Sequence, residues 1–213
     1  MSPSVSNVVE EDGTLRFTLS ELNVSHANAL RRVIVADIPT VVFRTFPHTA
    51  NQATIETNTT RFNNEIIKQR LSCIPIHHVG TDQPIEDLSM EVDVINNTDS
   101  IAYVTTEDFR VKNNKAGKYL PADEVRRMFP PNPLTATFID FVRLRPKLTQ
   151  SGKGEALKLS CRFDIGTARE DGAYNVASMC TYGFTPDHNK SKTAWAEKKQ
   201  LLVKEGMSKD DIE

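Results

Sequence analysis

With 213 residues and a formal net charge of −2, the chain has no general attraction to polyanions, which excludes a basic protein that coats nucleic acid. Hydrophobic residues make up 38% and charged residues 25%, the balance of a soluble globular protein with enough chain for one large domain or two small ones. No stretch reaches the about 18 apolar residues of a membrane helix, and Met1-Ser2-Pro3-Ser4-Val5-Ser6 lacks the basic start and apolar core of a signal peptide.

In chain order, Leu15, Phe17 and Leu19 alternate with Thr14, Arg16 and Thr18, the pattern of a strand. Ser25 is placed to cap a helix over 25–36. Asp37-Ile38-Pro39 ends that helix, because a residue before proline avoids the helical region. β-branched and aromatic residues over 40–46 give a second strand, and a polar loop over 48–57 leads to a second helix over 60–72, stopped near Pro75.

From His78 onward the pattern turns to β. Leu88, Met90, Val92 and Val94 alternate with polar residues, and Asn96-Asn97-Thr98 turns into a strand over 101–105. Leu157, Leu159, Cys161, Phe163 and Ile165 alternate against Lys158, Ser160, Arg162 and Asp164. Strands over 138–144 and 174–182 complete an expected antiparallel sheet, with an exposed loop over 113–117. Residues 121–128 form a short helix with Pro121 at its first position, closed by Pro130-Pro131. A charged helix over 191–205 follows, with Trp195, Leu201 and Leu202 as its apolar contacts and Gly206 as its C-terminal cap.

The chemistry-bearing residues do not assemble into a site. Cys73, Cys161 and Cys180 are an odd count at wide spacings in apolar segments, where a free thiol acts as a small hydrophobe. They point to a reducing compartment such as cytosol, nucleus or a cytoplasmic replication site. Cys73, His77 and His78 lie close together, but a zinc site wants about four ligands. No nucleophile elbow or phosphate loop frames the Ser, His and Asp residues. The basic strand end at Arg143, Arg145 and Lys147 reads as a solvated edge. No catalytic residue, cofactor or metal is expected.

Two helices carry more information. At 100° per residue, Ala27, Leu30, Ile34 and Ile38 fall on one stripe of the first. Arg31 falls at its edge beside Val35, and Arg32 points well away. One reading is a core helix with two solvated arginines. The other is a stripe that packs on a partner, with the arginines bonding across the adjacent seam through their planar, multi-donor forks. The second helix spreads Phe62, Ile66, Ile67, Leu71 and Ile74 over a broad face, with Arg70 inside it. An arginine there snorkels out or finds a carboxylate or carbonyl, and spacing does not identify which.

Three blocks in order resemble one family. The first is Asn28-Ala29-Leu30-Arg31-Arg32 followed by Ile38-Pro39; the second is Glu65, Ile66, Ile67, Arg70, Leu71, Ile74 and Pro75. The third, Gly166-Thr167-Ala168-Arg169-Glu170-Asp171-Gly172-Ala173-Tyr174-Asn175, is similar to a glycine-rich loop reading lysine-glutamate-histidine-alanine-lysine-tryptophan. It keeps Gly166, Glu170 and Asn175, has Arg169 for the lysine and Tyr174 for the tryptophan, and loses the histidine at Asp171. Together they resemble the assembly subunits of multisubunit RNA polymerases: bacterial alpha, its archaeal counterpart and the third-largest subunit of eukaryotic polymerase II. The divergent Asp171-Gly172-Ala173 stretch and compact insert also resemble versions encoded by large DNA viruses.

That resemblance implies an α+β, two-domain alpha-subunit-like fold. A dimerisation domain (1–77 plus 185–213) is split by an inserted antiparallel β-rich domain (78–184). It implies a non-catalytic subunit that heterodimerises with a smaller alpha-like subunit. The pair nucleates binding of the two largest polymerase subunits, touching DNA only through the complex and no membrane. The partner interface would use Asn28, Leu30, Arg31, Arg32, Ile34, Arg70, Arg169 and Glu170. The expected location is nucleus or cytoplasm, or a cytoplasmic replication site or virion for a viral version. The family's dimerisation domain closes with a returning strand and a long helix. Here the chain stops at Glu213, with Ser208-Lys209-Asp210-Asp211 reading as a new helix start. It is expected to be a fragment, a part of a fusion with its smaller partner, or a version with a reorganised end. An independent α+β binding protein or a small-molecule enzyme of an unrelated family is the alternative. The three-block order discriminates, since an unrelated enzyme has no reason to carry it.

Overall fold

Asp12 (φ 50°) and Gly13 (φ 69°) both adopt the left-handed conformation, which a two-residue hairpin turn matched to strand twist requires. They join β1 (Ser4–Glu11) to β2 (Thr14–Ser20), an antiparallel pair whose register shifts between Ser6 and Val9. β2 falls where alternation places it. β1 escaped the periodicity, although the Asp-Gly turn signals it. These elements belong to a computed structural model that describes residues 2–81, 84–147 and 152–207; the expected helix start at 208–211 lies outside them.

The first helix, α1 (Val24–Ala36), begins one residue earlier than expected. Asn23, rather than Ser25, supplies the cap: its Oδ1 accepts the Ser25 N–H at 2.9 Å. The helix ends where Asp37 N–H donates to Val33 O, just before Ile38-Pro39. β3 (Thr40–Val42) is shorter than its β-branched run. Instead of a polar loop over 48–57 there is a 3-10 turn, His48–Ala50, and then β4 (Ala53–Asn58). Ala53 is buried and Ile55 packs against the core, so β4 is a strand with few apolar residues that hid its period. α2 (Asn64–Ser72) starts later than expected because Asn63 caps it, its side chain accepting from Ile66 N–H.

β5 (Leu88–Ile95), β6 (Ala102–Thr105), β7 (Arg110–Asn113) and β8 (Lys118–Tyr119) come next. α3 (Ala122–Met128) starts after Pro121, and β9 (Asp140–Leu144), β10 (Ala156–Arg162) and β11 (Asp164–Gly166) complete the β structure. A five-stranded antiparallel sheet runs β4-β10-β5-β7-β8, with two smaller pairs, β3–β11 and β6–β9. The strand expected over 174–182 is replaced by a 3-10 turn at Gly172–Tyr174 and irregular chain. Tyr174 is buried there, but Val176, Met179 and Tyr182 are exposed, so no sheet face collects the alternating side chains. α4 (His188–Lys204) is the expected charged helix, and Gly206 at φ 92° closes it. The class is mixed α+β with antiparallel sheets, as expected.

Contacts divide the chain into two compact units: Met1–Arg31 with Thr181–Glu213, and Arg32–Cys180. The second holds the core. Met90 and Val92 on β5, Leu157, Leu159 and Cys161 on β10, and Ile67 and Leu71 on α2 are each at most 2% exposed. Removing such side chains from water contributes about 1.5–3 kcal/mol each. Phe43, Phe109, Phe129, Phe141 and Phe163 form an aromatic cluster with ring centroids 5.2–6.1 Å apart. Burial pushes the Cys161 thiol up to about 12, so it is a packed hydrophobe and not a nucleophile. In the first unit the hairpin, the start of α1 and α4 are formed, yet no described residue there is buried. The partition that the resemblance implies, 1–77 plus 185–213 against 78–184, returns below as a proposal.

Candidate interaction site

α1 is a formed helix with no buried residue. Leu30 is 40% exposed and Val33 47% exposed, while Ala27, Ile34 and Ile38 are half-buried. A core helix would have its stripe covered, so within this chain α1 is not one. Arg31 and Asn28 sit three residues apart, and Arg31 Nε donates to Asn28 Oδ1 at 3.0 Å. Arg32 is exposed. The face therefore carries apolar residues with the Arg31 guanidinium at its edge, a composition suited to a desolvated protein contact, while Arg32 lies on the far side of the helix.

The other expected interface residues bond within the chain. Arg70 Nε donates to Phe141 O at 2.7 Å and its Nη2 to Asp140 O at 2.8 Å, which fastens α2 to β9. Its guanidinium also lies 5.7 Å from the centre of the Phe62 ring. The partner that spacing left open is thus a pair of strand carbonyls. Arg169 grips Asp37 with two bonds, Nε to Oδ1 at 2.6 Å and Nη2 to Oδ2 at 2.8 Å. Its backbone N–H donates to Ala36 O at 2.9 Å, one of the carbonyls left open at the end of α1.

Glu170 meets Arg44, a residue that sequence reading missed. Arg44 sends Nη1 to Glu170 Oε2 at 2.8 Å, Nε to Asp164 Oδ2 at 2.6 Å and Nη2 to Ile165 O at 2.6 Å. It lies 5.8 Å from the centre of the Tyr174 ring. Burial works against its charge, but the bonds to Asp164 and Glu170 prevail and raise its pKa. The available signal was a lone charge within the β-branched and aromatic run over 40–46. Gly166 explains the third block's glycine: a Cβ there would come within 2.7 Å of Tyr174 and 3.2 Å of Val42.

The Arg169 bond holds the Asp37 carboxyl below its ordinary value of 3.8, against a smaller opposing effect of burial. What the pair contributes to stability is therefore present above that ordinary value and is lost as pH falls through the lowered folded one. An NMR titration is expected to find Asp37 ionising at unusually low pH in the native protein and to find the value rising in R169A. An unchanged value would mean the bond does not persist in solution.

Cys73 is exposed, and the His77 and His78 ring centres are 6.3 Å apart. Among the described residues no three His, Cys, Asp or Glu side chains gather as metal ligands would. No described helix is long and apolar enough to cross a membrane.

On this α+β scaffold α1 thus presents a partly exposed apolar face with Arg31 at its edge. No family model matches the chain. It is similar to subunit 3B of DNA-directed RNA polymerases IV and V from Arabidopsis thaliana, 26% identical over 201 residues, covering 87% of this chain and 58% of that protein. It is also similar to subunit 3 of DNA-directed RNA polymerases II, IV and V from the same plant, 25% identical over 190 residues, covering 83% and 55%. The resemblance carried by the three blocks thus extends along most of the chain to third subunits of RNA polymerases. The chain spans a little over half the length of these curated relatives.

Proposed function

We propose that this chain is a non-catalytic assembly subunit of a DNA-directed RNA polymerase. It heterodimerises with a smaller alpha-like subunit, and the pair nucleates binding of the two largest subunits. DNA is reached only through the complex, in whatever compartment the polymerase occupies. In this reading residues 1–77 and 185–213 serve dimerisation, and 78–184 form the inserted β-rich domain.

One observation carries the proposal: α1 is fully formed although none of its residues is buried and its apolar stripe is only half-covered, and none of the described residues of the unit Met1–Arg31 with Thr181–Glu213 is buried. Secondary structure without a core gains most of its stability from tertiary packing. Obligate partners commonly supply about 2,000 Å² or more of it. The similarity to polymerase third subunits supports the kind of partner.

The test is reconstitution with a smaller alpha-like subunit and the two largest subunits, together with mass-spectrometric identification of what copurifies with the native protein. Stable, stoichiometric recovery of polymerase subunits is expected; a soluble monomer with no affinity for them contradicts the proposal. Replacing Cys73, His77 and His78 together with alanine should leave RNA synthesis by the reconstituted enzyme nearly unchanged. A large fall in rate with assembly intact would reveal chemistry in this chain.

A further inference from the structure

Arg169 and Glu170 are adjacent in sequence but hold different parts of the structure. Arg169 binds the end of α1 twice, through its guanidinium on Asp37 and its N–H on Ala36 O. Glu170 is held by Arg44, whose other two bonds reach Asp164 and Ile165 O on β11. β11 in turn pairs with β3, matching Asp164 to Val42 and Gly166 to Thr40. The loop between is internally braced. Glu170 and Asp171 N–H both donate to Thr167 O, Ala173 N–H donates to Asp171 Oδ1, and the Tyr174 ring fills the space over Gly166.

We propose that residues 166–175 form an orienting clamp for the C-terminal turns of α1. In the assembled polymerase, Arg169 is then a positioning residue rather than a partner-contacting one. This rests on the assembly reading above. The physical need is specific. An Asp at a helix C-terminus opposes the negative end of the helix dipole. Asp37 is nevertheless useful there because Arg169 neutralises it with a two-bond fork, which fixes direction as well as distance. The N–H on Ala36 O closes one open carbonyl at the same point. Arg32 and Ile34 lie within the last turns of α1. A partner that contacts them needs those turns held in one orientation, since ordering a loose element on binding subtracts from affinity.

The test is a charge swap. D37R and R169D are made singly and together in the full chain, with affinity for the smaller alpha-like subunit and amide exchange over 33–37 as readouts. Arg169 is exposed, with a side chain 68% accessible, so the thermal midpoint is expected to stay near wild type in every variant. Each single variant should weaken partner binding about tenfold and speed exchange at 33–37, and the double variant should restore most of both. Unchanged binding in the singles, or no recovery in the double, overturns the clamp while leaving the assembly reading intact. Failure of the wild-type chain to bind any alpha-like subunit overturns the assembly reading, and the clamp with it.

Discussion

Alanine at both Arg31 and Arg32 is expected to leave the fold intact and to weaken recruitment of the large polymerase subunits by about 2 kcal/mol or more, roughly thirtyfold. The fold is insensitive because neither side chain lies in the core: Arg31 bonds to Asn28 within its own helix, and Arg32 is exposed. Binding is sensitive because a guanidinium buried at a contact makes several directional bonds that alanine cannot replace. Reconstitution of the double variant with its alpha-like partner and the large subunits reads the loss, with thermal unfolding as the control. Wild-type assembly at wild-type stability would reduce both arginines to solvated surface.

Phe43→Ala should destabilise the unit Arg32–Cys180 by about 3–5 kcal/mol, a large part of the about 5–15 kcal/mol that holds a typical domain together. Phe43 is fully buried, stacked on Phe129 with centroids 6.1 Å apart and tilted against Phe163 at 5.2 Å. Truncation leaves a cavity between neighbours fixed on two separate segments, so little collapse can fill it. Denaturant unfolding followed by fluorescence or circular dichroism measures the shift. A loss below about 1 kcal/mol would mean the aromatic cluster repacks or is not the organising core.

The parts of the fold legible in the sequence were those whose own residues repeat a period strongly. β5 and β10 read directly from alternation, and α1 and α2 from apolar stripes closed by proline. β4 was lost because only Ala53 and Ile55 turn inward among polar neighbours. The expected strand over 174–182 failed for the opposite reason: its apolar residues exist, but all of them except Tyr174 face outward or lie half-buried in irregular chain. α1 carried the same stripe under both of its readings, and only its burial separates them. The clamp was beyond local reading altogether. Arg44 and Glu170 are 126 residues apart, and Arg169 and Asp37 are 132 apart, and no periodicity links positions so distant. The resemblance marked Arg169 and Glu170 as important without showing that their bonds run within the chain.

Amide hydrogen exchange across the whole protein, with and without a smaller alpha-like subunit, tests the assembly role most directly. In the free chain, amides of α2, β5 and β10 should exchange slowly, and those of β1, β2, α4 and the part of α1 before the clamped residues 33–36 should exchange quickly, because no described residue of these elements is buried. Addition of the alpha-like subunit should slow exchange sharply in α1 and in the elements of the unit Met1–Arg31 with Thr181–Glu213, and leave α2, β5 and β10 as they were. A free chain whose α1 amides already exchange as slowly as those of β10, with no change on mixing, would contradict an assembly role built on this helix.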